Sequence, residues 1–385
     1  MEENFTCPRC HNKDKRYIGY KNGKPYCRLC ISFAGKEANI DYKVSKNITL
    51  KIDYPLSEKQ ERIANDVLST LKEKKNVLIN AVTGAGKTEL VYYSMRYYLE
   101  KGLHVGFATP RKDVVIDLLP RIKESFLNCK VISVYGEHTS ILEGDIIVLT
   151  THQLYRYKNY FDLLIVDEID AFPYANNKLL ESFFIDSVRG NYVLLSATPS
   201  TEDIKKIEDQ GGKIFYLTQR YHHHKIPVPT FHKCNDINAY TKCLILLKKF
   251  LKENKPVFIF APTINIGKKL FSFLNIFASN GCFVSSKEED RKLIVSSFKT
   301  RKYQYLVTTS ILERGVTIKD LQVIVFNADH DLYDEKALIQ IAGRVGRKID
   351  STGGEVIFMG NENNDSIRNS INKIDNYNKE NNLYD

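Results

Sequence analysis

The segment AVTGAGKT constrains this chain of 385 residues more than any other feature of its sequence. It follows the apolar run NVLIN and precedes TELVYYSMRYYL, an order that predicts a strand, a glycine-rich loop and a helix. The strict phosphate-binding pattern has Gly where this chain has Ala81, but its other fixed positions are filled. In such loops, backbone N–H groups approach phosphates, Lys adds positive charge and a hydroxyl ligates Mg²⁺ at the helix start. We therefore predict that ATP is bound by Gly84, Ala85, Gly86, Lys87 and Thr88.

Short apolar runs rich in β-branched residues alternate with longer amphipathic stretches through most of the chain. Such runs are typical of buried parallel strands, and the alternation predicts crossover helices. A first series lies between about residues 56 and 220, and a second series follows with PVFIFAP, QYLVTTS and QVIVFNA as strands. The pattern predicts an α/β fold with two parallel-sheet lobes, whose strand ends would border a cleft.

The chain divides into three predicted regions. Residues 1–45 form a small cysteine-paired module, residues 46–225 the first lobe, and residues 226–385 the second lobe with an Asn-rich C-terminal tail. That tail is expected to be either a weak amphipathic helix or a frayed end. The segment RYHHHKIPVP carries two prolines that mark a linker. Because no carboxylate or cysteine flanks His222 to His224, we expect a solvated linker there rather than a metal site.

The chain carries a formal net charge of +10 and has a pI near 9.0. Clustered Lys and Arg favour a polyanionic partner, although the same Lys-rich, Asn-rich composition also arises from an AT-rich genome. No apolar run is long enough to span a bilayer, and the first residues do not resemble a signal peptide. We therefore expect a cytoplasmic protein.

A second candidate element of the nucleotide site is LLIVDEID, an apolar strand that ends in carboxylates. Phosphoryl transfer needs a carboxylate that holds Mg²⁺ and a group that orients the attacking water. We assign these roles to Asp167 and Glu168, respectively, and expect Asp170 to contribute to coupling. The alternative is that acidic residues merely end a strand.

Two C-x-x-C pairs lie near the N-terminus with sixteen residues between them. This spacing is typical of zinc ribbons, in which four thiolates close a tetrahedral structural site and replace a missing apolar core. A redox dithiol is the alternative. The basic and tyrosine residues around the pairs suit either nucleic-acid contact or a solvated surface. The predicted zinc ligands are Cys7, Cys10, Cys27 and Cys30.

Six further segments, in this order and spacing, resemble the motifs of superfamily-two helicases: ATPRKDV at 108, TTHQL at 150, DEID at 167, SATP at 196, TTSILERGVT at 308 and QIAGRVGR at 340. The resemblance implies two RecA-like lobes, with Gln340, Arg344 and Arg347 on the second. Arg344 and Arg347 would act as arginine fingers on the γ-phosphate. Ser196 and Thr198 would link hydrolysis to strand movement.

The same resemblance implies contacts to nucleic acid and to the base of the nucleotide. Hydroxyl and guanidinium groups at the matching positions grip the phosphate backbone of one strand. Gln60, in the segment LSEKQ upstream of the phosphate loop, matches a glutamine that touches adenine, although a solvated helix position is equally compatible. The matching strand-contact positions are Arg111, Thr151, Thr309 and Arg314.

A narrower resemblance emerges from the N-terminal cysteines, the run from Asp170 to Tyr174 and the segment Arg220 to His222. Over residues 5 to 360 the chain resembles the ComFA late-competence ATPases. That resemblance implies a translocase that draws single-stranded DNA through a membrane channel during natural transformation. It also implies work beside other competence proteins, either free in the cytoplasm or held peripherally at the inner face of the plasma membrane.

Two alternatives remain at this stage. A replication-restart helicase of the primosomal type shares the last two motifs, but such chains are much longer and carry their zinc module within the second lobe. A nucleic-acid clamp that binds ATP without hydrolysing it is the other alternative. The intact pattern at Lys87, Asp167, Glu168 and Arg347 argues against a decayed ATPase.

Overall fold

The computed structural model describes residues 5–52, 55–171, 174, 175, 177–285, 290–309 and 318–382. These residues form two compact units. The first contains the described residues up to Ala81 together with Gly86–Leu217, and the second contains Val82–Ala85 and the described residues from Thr218 onward. Each unit is built on its own all-parallel sheet, so the predicted two-lobed α/β fold is confirmed.

The N-terminal module of the first unit is a hairpin of β1 (Ile18–Lys21) and β2 (Lys24–Cys27). Its turn places Asn22 and Gly23 at φ of 51° and 73°, the left-handed pair that a two-residue hairpin turn favours. Beyond the hairpin the chain runs to the first lobe with almost no regular structure. A two-residue strand, β3 (Thr49–Leu50), then pairs with β6 (Phe126–Leu127).

The sheet of the first unit has seven strands in the order β11-β4-β10-β9-β5-β8-β7. Its middle strands are buried on both faces, which explains why their sequences are continuous apolar runs. The strands are β4 (Val77–Ala81), β5 (Val105–Thr109), β7 (Val131–Val134), β8 (Ile146–Thr150), β9 (Phe161–Asp167), β10 (Val188–Ser196) and β11 (Lys213–Leu217).

Helices of the first unit connect these strands and pack on the sheet. Several begin at side-chain caps, as at Ser57 and Ser200, whose hydroxyls accept a backbone N–H three residues on. The helices are α1 (Glu58–Lys72), α2 (Tyr92–Glu100), α3 (Lys112–Ser125), α4 (Lys178–Ser187) and α5 (Thr201–Asp209).

The second unit has a six-stranded parallel sheet in the order β12-β17-β16-β13-β15-β14. Its strands are β12 (Thr230–Lys233), β13 (Val257–Phe260), β14 (Gly281–Val284), β15 (Tyr305–Thr308), β16 (Gln322–Val325) and β17 (Val356–Gly360). Its helices are α6 (Asp236–Lys252), α7 (Ile264–Phe277), α8 (Arg291–Lys299), α9 (Glu335–Ala342) and α10 (Asp365–Asn382).

The Asn-rich tail forms α10, so the helical alternative is the one observed. Ile367 and Ile374 are buried on the same face of the helix, seven residues apart. Asn378 is also buried, and its side-chain amide exchanges hydrogen bonds with both main-chain groups of Ile226. The tail therefore anchors the chain segment that enters the second unit.

Candidate nucleotide and metal sites

The predicted nucleotide-site residues of the first unit follow the carboxyl ends of adjacent strands. Lys87 follows β4, Ser196 ends β10 and Asp167 ends β9, and β10 lies between the other two strands. Ligand sites in parallel sheets form at this edge because the strand ends and helix starts meet there.

The phosphate loop has the backbone conformation that its glycines permit. Gly84 and Gly86 have φ of +83° and +75°, the left-handed region that favours glycine. The following turn differs from the continuous helix predicted. Residues Glu89–Val91 form a 3-10 turn, and α2 begins only at Tyr92. Such tightening is frequent at helix N-termini, and here it leaves the Thr88 side chain buried at the entry to the turn.

Gln60 lies against the same loop. A Cβ atom at Gly86 would stand 2.7 Å from its Nε2, so the glycine makes room for this amide. The other end of the amide is engaged, because Gln60 Oε1 accepts the backbone N–H of Ser57 in the cap of α1. Gln60 is therefore a buried residue held beneath the loop rather than a solvated one. Its contact with adenine stays a prediction.

Asp167 lies in the electrostatic environment expected of a cation ligand. Burial raises its pKa to about 6, the nearby Lys87 ammonium opposes that rise, and Glu168 adds to it. Its Oδ1 accepts the backbone N–H of Glu168, and Glu168 itself adopts φ of 57°, uncommon for a side chain of this type. Residues in such conformations cluster at functional sites.

The third acidic residue, Asp170, joins the DEID and SATP segments. Its two carboxylate oxygens accept hydrogen bonds from the hydroxyls of Ser196 and Thr198, each at 2.8 Å. Both hydroxyl-bearing residues are almost fully buried. A displacement of one segment would therefore be felt by the other, which is the geometry that coupling requires.

The predicted strand-contact residues are placed unequally. Arg111 precedes α3 at the carboxyl end of β5 and is partly exposed. Thr151 is fully buried at the end of β8, with no hydrogen-bond partner for its hydroxyl among the described residues. Thr309 follows β15 in the second unit. Arg314 lies outside the described residues, as do Phe172 and Pro173 of the narrower resemblance.

The remaining predicted catalytic residues lie together in the second unit. Gln340 is on α9, and Arg344 and Arg347 are in the loop that follows it. Gln340 and Arg344 are buried, whereas Arg347 is partly exposed. Of the two predicted fingers, Arg347 has the more accessible guanidinium.

The expectation of a solvated linker at RYHHHKIPVP is wrong for two of its residues. Arg220 is only 1% exposed, and His222 is 7% exposed. Both bind main-chain carbonyls more than 120 positions away in the sequence. Apart from the run RYH itself, the sequence carries no periodic signal for these contacts, because they are made by an irregular segment.

The four N-terminal cysteines form one compact cluster. All are buried, and their sulfurs lie within 4.8 Å of one another. The Sγ atoms of Cys7 and Cys30 are 3.6 Å apart, as are those of Cys10 and Cys27. Zinc–sulfur bonds of about 2.3 Å in a tetrahedron separate sulfurs by about 3.8 Å, so the donors fit Zn²⁺. The short contacts join different C-x-x-C pairs, which favours the metal site over a redox dithiol.

The family models that match the chain divide it between the same two classes of element. Residues 53–201 match the family described as "Type III restriction enzyme, res subunit", and residues 239–348 match the "Helicase conserved C-terminal domain". The Competence protein ComFA of Bacillus subtilis is 34% identical over 92% of this chain and 81% of that protein. The chain belongs to the ComFA family. The ComFA of Streptococcus pneumoniae is also 34% identical, over 97% of this chain and 90% of its own length.

Structural comparison extends the ComFA assignment to the helicase fold. Dbp5 of S. cerevisiae, in a complex with RNA and ADP BeF3, matches 86% of this chain and 93% of its own, with a TM-score of 0.64 and 14% identity. Family models and fold together make this ComFA-family member a nucleic-acid-dependent ATPase of helicase type. Among the helices of the described ranges, none is long and apolar enough to cross a membrane.

Proposed function

We propose that this ComFA-family chain hydrolyses ATP to move along single-stranded DNA and so drives DNA uptake in natural transformation. The observation that carries the proposal is the placement of Asp167 at the end of β9, within the field of the phosphate-loop Lys87. An acidic residue in this position beside a glycine-rich loop is the arrangement that a Mg²⁺-nucleotide requires.

Each residue of the first unit has a defined task in this proposal. The backbone of Gly84, Ala85 and Gly86 cradles the phosphates, and Lys87 neutralises their charge. Thr88 and Asp167 hold Mg²⁺, which when bound neutralises charge on the phosphate oxygens. Glu168 orients the attacking water and accepts its proton.

Residues of the second unit and the motif segments complete the cycle. Arg344 and Arg347 stabilise charge that develops on the transferred phosphoryl group, with Gln340 beside them. Asp170 passes the change to Ser196 and Thr198. The strand is gripped by Arg111, Thr151, Thr309 and Arg314.

The cysteine module supports the motor without chemistry of its own. Four buried thiolates leave Zn²⁺ no open position, so the ion stabilises the fold. We place the protein in the cytoplasm or at the inner face of the plasma membrane, beside other competence proteins and the membrane DNA channel. The regions 1–45, 46–225 and 226–385 are its proposed domains.

The first test is the rate of ATP turnover with no nucleic acid, single-stranded DNA, duplex DNA or single-stranded RNA, each at several salt concentrations. We expect at least tenfold stimulation by single-stranded DNA alone, weakening as salt rises because phosphate contacts release counterions. Equal stimulation by RNA would contradict the DNA assignment. Nucleotide binding without turnover would instead favour the clamp alternative.

Two variants assign that turnover to this site. Lys87→Ala should reduce it to background because the charge at the phosphates is lost, whereas Glu168→Gln should bind nucleotide normally and fail to hydrolyse it. Lys59→Ala, an exposed lysine on α1, is the matched control and should turn over ATP like the wild type. Normal turnover by Lys87→Ala would remove the site assignment.

A further inference from the structure

The segment Arg220–His222 is the part of the sequence that the proposed site leaves unused. Arg220 Nη1 donates to the carbonyl oxygens of Val345 and Gly346, each at 2.7 Å, and its Nη2 donates to that of Gly343 at 3.2 Å. These carbonyls lie at the C-terminal end of α9 and in the loop beyond it. Arg220 is therefore a side-chain cap for groups that a helix end leaves without intrahelical partners.

His222 holds the same loop from a second direction. Its Nε2 lies 3.0 Å from the Gly346 carbonyl oxygen, which can only accept, so Nε2 carries the proton. Its Nδ1 accepts the backbone N–H of His224. The ring is thus neutral and oriented by both contacts. Burial lowers the pKa of His222, which keeps it in this neutral form.

The loop that these two side chains bind is tight. Gly346 has φ of +67°, and a Cβ atom there would stand 2.3 Å from the carbonyl oxygen of Thr352. Arg344 and Arg347 flank the bound carbonyls on either side. The orientation of both guanidinium groups therefore depends on a backbone that Arg220 and His222 fix.

Arg220 also lies beside the phosphate loop residues of the second unit. The backbone N–H of Tyr221 donates to the Gly84 carbonyl oxygen at 3.1 Å, and the Cγ, Cδ and Nε atoms of Arg220 would each lie 3.8 Å from a Cβ at Gly84. The Nε of Arg220 is buried, and no described group accepts its hydrogen. Every described partner of this cation is a carbonyl rather than a carboxylate.

A buried cation without a counter-ion is costly, and burial and the nearby Arg347 both lower the pKa of Arg220. A surface residue would carry no such penalty. We propose that Arg220, assisted by His222, is a positioning residue of the ATPase, which holds the loop Gly343–Gly346 so that Arg347 presents its guanidinium to the γ-phosphate. This inference rests on the proposed function.

The test compares kcat with nucleotide affinity in Arg220→Ala. Misplacement of a catalytic group by about 1 Å costs about 100-fold, so we expect kcat to fall between about 10- and 100-fold. The Kd of a fluorescent, non-hydrolysable ATP analogue should change less than about threefold, because Lys87 and the phosphate loop remain. Arg220→Lys should give an intermediate kcat, since an ammonium cannot reproduce the planar fork.

A double variant separates positioning from a general loss of structure. If Arg220 acts through Arg347, adding Arg220→Ala to Arg347→Ala should leave single-turnover hydrolysis unchanged. His222→Ala should lower kcat by a smaller factor than Arg220→Ala. Lys225→Ala, which removes an exposed positive charge from the same segment, is the matched control and should match the wild type.

Three outcomes would overturn the inference. They are a kcat for Arg220→Ala within twofold of the wild type, a fully additive double variant, and loss of analogue binding in parallel with kcat. If the wild-type chain failed to hydrolyse ATP, the proposed function would fall as well. Wild-type turnover with an active Arg220→Ala would remove this inference alone.

Discussion

Among single residues, Asp162 shows most directly how burial is offset by partners in this chain. It lies on β9, and its carboxylate receives the Nε and Nη2 groups of Arg189 at 2.8 and 2.6 Å. The backbone N–H of His104 donates to the same group at 2.9 Å. Burial alone would raise the pKa of Asp162, but the contacts from His104 and Arg189 outweigh it and lower the pKa to about 2.

This shift predicts a specific dependence of stability on pH. A carboxyl whose pKa is lower in the folded state stabilises the fold above its unfolded pKa, near 3.8, and loses that contribution as pH falls towards 2. Asp162→Asn should therefore lower the free energy of unfolding by about 2 kcal/mol at pH 7. The loss should be the same at pH 5 and should shrink below pH 4, as measured by urea denaturation.

Asp209→Asn provides the comparison, because it removes an exposed carboxylate at the end of α5 and should leave stability unchanged. A stability loss for Asp162→Asn that stayed constant down to pH 2 would show that shape rather than charge holds this contact.

At the scale of elements, the cysteine module is joined to the first lobe by side chains rather than by strands. Phe33 packs edge-on against Tyr155 and Phe183, with ring centroids 5.6 and 5.1 Å away. Arg156 donates from its side chain to the Lys36 carbonyl. Tyr155 and Arg156 belong to the 3-10 turn that begins at Thr151, one of the predicted strand-contact residues. The module therefore supports a segment that is proposed to touch DNA.

The module should bind one zinc ion per chain, and removal of the ion should unfold it, because it has no apolar core of its own. Metal analysis of the purified protein measures the stoichiometry. After treatment with a chelator, limited proteolysis should cut within the first 45 residues while α1 to α5 stay intact. A zinc content well below one ion per chain would contradict the prediction.

Phe33→Ala separates the metal from the packing. It should retain zinc, yet lose part of the stimulation by single-stranded DNA because the turn at Thr151 is less well held. Ile31→Ala, which alters an exposed side chain of the same module, is the matched control. Full stimulation of Phe33→Ala would show that the module and the turn act independently.

The elements show why some features were predictable and others were not. The strands, the phosphate loop, DEID and the cysteine pairs are written in short stretches of sequence, and the fold that they predicted is the one observed. The partners of Arg220 and His222 lie more than 120 residues away, so no local pattern reveals them. The burial of Thr151 likewise depends on the module and α4 packing around its turn.

At the scale of the whole molecule, the chain combines a helicase-type motor with a small metal module. Sequence analysis found no strand-separating pin or accessory domain, and the described elements belong to the two sheet-based units or to the cysteine module. With a net charge of +10, the chain is suited to follow a phosphate backbone. This organisation favours movement along a single strand over opening of a duplex.

We therefore expect ATP-dependent displacement of a protein block from single-stranded DNA, but no efficient unwinding of a long blunt duplex. Both reactions can be followed with labelled DNA under the same conditions, and Lys87→Ala serves as the inactive control. Efficient unwinding of the blunt duplex by the isolated chain would overturn this expectation.

The contact between Phe33 and Phe183 also bears on the order of events during synthesis. All four cysteines leave the ribosome before Phe33, whereas Phe183 follows Phe33 by 150 residues. At about 5–20 residues per second, the nascent module waits about 8–30 seconds for the surface that covers it. Metal capture is the one stabilising event open to it in that interval, so zinc supply would govern how much of each new chain reaches its docked state.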